Sequence, residues 1–111
     1  MSYDVIALKT FQKEAKRLVK KYPSLKKELA DLIAELKLTP TIGTPLGSGV
    51  FKVRISIASK GKGKSGGGRV ITFVKMSKTR VYLLSIYDKS EEENISDQEL
   101  ESLPKEAREI S

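Results

Sequence analysis

The chain has 111 residues, with 21 Lys and Arg against 14 Asp and Glu, and a net charge of +7. Its 39% hydrophobic and 32% charged composition fits one globular domain over residues 1–111 rather than a disordered segment. It contains no cysteine and no histidine, which excludes disulfides, thiolate metal sites and the usual imidazole base or zinc ligand.

Tyr3 to Leu8 is short and β-leaning and is expected to supply an edge strand. Asp4 inside it, and the lack of a basic start, do not fit a signal peptide. Phe11, Ala15, Leu18, Val19 and Tyr22 recur on one face of a helix. Pro23 disfavours helix at Tyr22, and Ser24 is placed to cap a second one. Leu25, Leu29, Leu32, Ile33 and Leu36 repeat the spacing, so the two helices form an αα-hairpin. Thr39 to Gly49, with two prolines and three glycines, reads as loop. Phe51, Val53, Ile55 and Ile57 then alternate with Lys52, Arg54 and Ser56, which predicts a half-buried strand. Lys60 to Gly68 is a basic glycine loop, and Val70–Met76 and Val81–Tyr87 are two more strands joined by Ser77-Lys78-Thr79. A capping box, Ser96 to Glu99, predicts a last helix from Asp97 to about Arg108. The expected fold is α+β: a small antiparallel sheet of three to four strands, an N-terminal helix hairpin packed on it and a C-terminal helix. The longest apolar run is too short to cross a membrane, and a cytoplasmic location is expected.

The charge is not spread evenly. Between Leu36 and Tyr87 there is no acid and there are ten Lys or Arg, whereas Asp88 to Ser111 holds nine acids and three bases. A like-charged block on ordered strands builds a surface for a polyanion, and nucleic acid is the first partner to consider. Lys52 and Arg54 lie two apart on a strand, so they share a face opposite an apolar one. That pattern also suits an ordinary solvated strand. Arg69 stands at the base of the glycine loop, whose Lys60, Lys62 and Lys64 are candidate RNA-phosphate contacts; the bland reading is a soluble hairpin tip. Gly63-Lys64-Ser65 imitates a nucleotide-binding loop, but such a loop must open a helix and VITFV follows. Tyr87 and Lys89 close the last strand, where a rigid scaffold often positions reactive groups. Glu91-Glu92-Glu93 is read as solvated surface.

The order of these pieces carries a family resemblance. GVFKVRIS, then KGKGKSGGGRVITF, then VYLLSIYDKSEEENIS, behind a helix hairpin, resembles the RelE/ParE superfamily of bacterial toxins from type II toxin–antitoxin systems, and within it the HigB-like branch. The resemblance covers nearly the whole chain. It implies a toxin that enters the ribosomal A site and cuts mRNA with a Lys/Arg cluster on the sheet, with no metal and no small-molecule cofactor. Carried over by position, it points to Lys52, Arg54, Arg69 and Lys89 as catalytic, with Tyr87 as a nearby candidate. It also implies a cognate antitoxin that covers part of the basic face, and the ribosome with its mRNA as the target. Arg54 and Arg69 suit a phosphorane, because guanidinium grips phosphate oxygens in a two-pronged way. Lys52, a lysine crowded by arginines, is the candidate base, and Lys89 or Tyr87 the candidate acid. Two other functions share the fold: a ParE-like inhibitor of DNA gyrase, and a non-catalytic RNA-binding protein.

Overall fold

The computed structural model describes residues 2–61 and 66–91. The elements run β1 (Asp4–Ala7), α1 (Lys9–Lys21), α2 (Leu25–Leu38), β2 (Thr44–Gly47), β3 (Val50–Ile55), β4 (Gly68–Lys75) and β5 (Arg80–Asp88). The expected C-terminal helix and its capping box lie outside the described residues, as do Lys62 and Lys64.

Both helices stop where a proline forbids their continuation. α1 ends at Tyr22, in extended conformation before Pro23, and α2 ends at Thr39 before Pro40. Lys20 and Lys21 close α1 and Lys37 closes α2, each cation facing the negative end of the helix dipole. Ser24 precedes α2 but does not cap it with its side chain. Its hydroxyl donates to Glu28 Oε1 at 3.0 Å and accepts from the Ser59 N–H at 2.9 Å. Glu28 Oε2 also accepts from the Ala58 N–H at 2.9 Å, so the start of α2 grips the turn after β3.

The five strands form one sheet in the order β1-β5-β4-β3-β2. That is one strand more than expected. β3, β4 and β5 pair antiparallel, and β1 pairs parallel with β5 along the edge. The added strand is β2, inside the segment read as loop. Thr44 pairs with Lys52 and Pro45 with Phe51. A proline cannot donate to a ladder, but on an edge strand nothing is asked of its outer side.

Phe11, Leu18, Leu25, Leu29, Leu32 and Leu36 bury their side chains against Val53, Ile55, Val70, Val74, Val81, Leu83 and Ile86 of the sheet. A second apolar group, with Val50, Ile71, Tyr82, Leu84 and Tyr87, lies on the other face. Among the described residues no helix is long and apolar enough to cross a membrane.

Gly67 leads into β4 where two backbones nearly touch. A Cβ there would stand 2.2 Å from the Ile55 carbonyl oxygen and 3.0 Å from Ser56 Cα. Backbone cannot step aside as a flexible side chain does. Gly67→Ala is therefore expected to cost about 1–3 kcal/mol by overpacking. A chemical melt beside wild type checks this, and an unchanged midpoint would remove the account.

Candidate active site

Antiparallel register places Arg54 opposite Arg69, and Arg69 opposite Tyr87. The three side chains form one row across β3, β4 and β5. Their neighbours Val53, Ile55, Val70 and Ile86 point under the helices. Alternation therefore sends the row to the opposite face of the sheet.

Tyr87 reaches that face because of an irregularity in β5. Tyr82 and Leu84 belong to the face opposite α1 and α2, so simple alternation would continue with Ile86 and turn Tyr87 inward. The pairing instead jumps from Ile71↔Ser85 to Thr72↔Leu83. Beyond the bulge Ile86 sits in the helix-side core and Tyr87 in the other group. The Ser85 hydroxyl turns toward α1, where it donates to Glu14 Oε1 at 2.9 Å, and the Ile86 N–H approaches the same oxygen at 3.3 Å. An extra residue in one strand re-aims every side chain after it. Here it puts the phenol beside Arg69.

The row is graded in exposure. Arg69 and Tyr87 are each 4% exposed, while Arg54 is open to solvent. The Arg69 guanidinium donates to the Gly68 carbonyl at 2.9 Å. Burial, and then the neighbouring Arg54 charge, lower the Arg69 pKa, while Tyr87 acts in the opposite direction. Two guanidiniums so placed repel each other, and an anion between them would be drawn in. Lys52 lies on the same face opposite Ile71, two residues along β3 and so about 7 Å from the row. Lys89 follows the end of β5, half-buried, and its N–H donates to the Gly67 carbonyl at 3.1 Å. Arg54, Arg69 and Tyr87 thus come together, with Lys52 and Lys89 on their flanks.

Lys60 is not in this group. Its ammonium pairs with Asp88. The Lys60 and Asp88 side chains are 7% and 0% exposed. Asp88 also accepts from the Tyr22 hydroxyl at 2.7 Å, and from the N–H and hydroxyl of Ser90 at 2.9 and 2.8 Å. Burial alone would raise the Asp88 pKa. The bonds from Lys60, Tyr22 and Ser90 outweigh it and hold the carboxyl well below the usual carboxylate range. The Lys60 ammonium also stands 5.6 Å from the Tyr22 ring centroid. This clamp joins the end of α1, the base of the glycine loop and the end of β5. It fixes the backbone from which Tyr87 and Lys89 project. Reasoning from the sequence missed Asp88, although a trace existed: it is the first acid after Glu35, at the end of a strand in a basic block.

β4 begins at Gly68, directly after the glycine loop, which fits the strand expected there and not the helix that a nucleotide-binding loop opens.

One family profile, the RelE toxin of the RelE/RelB toxin–antitoxin system, matches residues 5–111. Among solved structures, a double-arginine mutant of E. coli toxin RelE in the free state is similar, with a TM-score of 0.64 and 17% identity, covering 95% of this chain and 97% of that one. The toxin–antitoxin complex RelBE2 from Mycobacterium tuberculosis matches with a TM-score of 0.61 and 19% identity, over 79% of this chain and 99% of the other. The isolated E. coli RelE toxin matches with a TM-score of 0.61 and 17% identity, over 94% and 98%. At such identities the likeness is one of fold.

Proposed function

Because this chain belongs to the RelE toxin family, we propose that it is the toxin of a type II toxin–antitoxin pair and a ribosome-dependent mRNA endoribonuclease acting in the cytoplasm. The observation that carries this reading is the cross-strand row of Arg54, Arg69 and Tyr87, with Lys52 and Lys89 at its sides. In the reaction the ribose 2′-oxygen attacks the adjacent phosphorus and gives up its proton to a base. The bond to the 5′-oxygen breaks, and that oxygen takes a proton from an acid. The products are a 2′,3′-cyclic phosphate and a 5′-hydroxyl.

The protein's part is electrostatic and positional. Arg54 and Arg69 neutralise the additional phosphorane charge, and their mutual repulsion in the free protein is relieved when it forms. Lys52 serves as base, and Lys89 or Tyr87 as acid. The side-chain cations take the role that a metal takes in other nucleases. Lys62 and Lys64 of the glycine loop are assigned to the RNA backbone. The protein partner is an antitoxin that covers the basic face; the similar RelBE2 structure, a toxin–antitoxin complex, supports a partner of that kind.

Primer extension on an mRNA in a reconstituted translation system tests the reading. Wild-type protein is expected to give cuts in register with codons, and none on the same mRNA without ribosomes. Intact mRNA would overturn it and make gyrase supercoiling the next assay.

A further inference from the structure

The helix α1 carries a second cationic surface that the cleavage row does not use. Lys9, Lys13, Lys16 and Lys20 are all exposed. At i, i+4, i+7 and i+11 they fall within an arc of about 60° and run along about 16 Å of helix. The arc lies diametrically opposite Phe11 and Leu18, which face the sheet. The stripe therefore looks away from the sheet, on the side of the molecule opposite Arg54 and Arg69. No acid interrupts it. Glu14, the one acid of α1, is turned to Ser85 and Ile86. Arg17, on the flank of the helix, pairs with Glu91 at 3.3 Å. The i,i+4 lysines repel one another and cost the free helix some stability. Among the described residues these exposed ammonium groups pair with no counter-charge on α1, and such a line suits a regular line of phosphates; B-form DNA presents one charge per about 1.7 Å of axis, and an RNA duplex is a polyanion of the same kind.

We propose that the α1 stripe docks the phosphate backbone of duplex RNA, so that the protein holds structured RNA on its helix side while its sheet face addresses a single strand. Recognition would be by backbone and shape, without sequence readout, since lysine is a point charge and A-form grooves are read that way. The inference stands apart from the cleavage reading, because duplex binding needs neither ribosome nor reaction.

The test measures binding of the full chain to a fluorescent RNA duplex across a salt series. The stripe variant is Lys13→Gln/Lys16→Gln/Lys20→Gln. A charge-matched variant, Lys26→Gln/Lys37→Gln/Lys78→Gln, removes three exposed lysines elsewhere. The stripe variant is expected to lose roughly tenfold or more in affinity and to flatten the salt slope by about 2–3, while the matched variant changes far less. Gln keeps the helix, and a circular dichroism spectrum confirms it. Equal losses in the two variants would reduce the effect to net charge and overturn the proposal. So would unchanged duplex binding, including the case in which the stripe variant instead loses binding to anionic phosphatidylglycerol vesicles. Cleavage is read separately by primer extension, so either idea can fail without the other.

Discussion

Arg69→Ala is expected to lower codon-registered cleavage by about 100- to 1,000-fold, the usual cost of losing one preorganised stabiliser of transition-state charge. The argument rests on where the guanidinium sits. It is 4% exposed, next to a second guanidinium, in a place that disfavours its charge. Arg69→Met, which keeps apolar bulk where the charge stood, is the informative companion. It is expected to fold and to be as inactive as Arg69→Ala. Arg69→Lys keeps the charge but loses the two-pronged geometry, and should recover only part of the rate. Primer extension in the translation system gives the rates, and thermal melts give stability. If Arg69→Met cleaves at the wild-type rate, the row does not act on phosphate. If it unfolds, Arg69 is a structural residue.

Asp88→Ala is expected to have the largest effect on stability, about 3–5 kcal/mol, because it leaves the Lys60 ammonium buried without its carboxylate. For a chain of this size that lowers the melting temperature by well over 10 °C. Asp88→Ala/Lys60→Met removes both charges and should regain most of the loss, which separates an orphaned charge from a lost attraction. The pH dependence follows from the direction of the shift. Asp88 titrates lower when folded than when unfolded, so its stabilisation is fully present above the unfolded value of about 3.9. It is lost as the pH falls toward the folded value. Asp88→Asn should therefore be less stable than wild type at pH 7, with the gap closing below about pH 4. A gap that stayed constant down to pH 2, or a double variant no better than Asp88→Ala, would refute the clamp.

Much of this molecule is legible along the chain. The spacing of Phe11, Leu18, Leu25 and Leu36 determines two amphipathic helices, and Pro23 and Pro40 determine where they stop. Those are local effects, carried by a 3.6-residue period and by the sterics of one ring. The alternation from Phe51 to Ile57 likewise determines which face of β3 meets the core, so Lys52 and Arg54 were placed correctly from sequence. The concentration of base between Leu36 and Tyr87 is a property of the chain, and with it the expectation of a polyanion.

What tertiary structure alone decided is who meets whom. β2 forms because β3 offers it a ladder, not because Thr-Pro-Leu-Gly favours a strand. Tyr87 joins Arg54 and Arg69 only through a bulge between β4 and β5, and an unpaired residue is invisible to a period of two read along one strand. Lys60 and Asp88 are 28 positions apart and look like two surface charges in the sequence. Burial makes them a pair, and Tyr22, 66 positions from Asp88 at the end of α1, reaches across to the same carboxylate. Composition and periodicity fix what each segment prefers by itself. Register, bulges and the pairing of buried charges depend on contacts between segments distant in sequence, and these exist only once the sheet has formed.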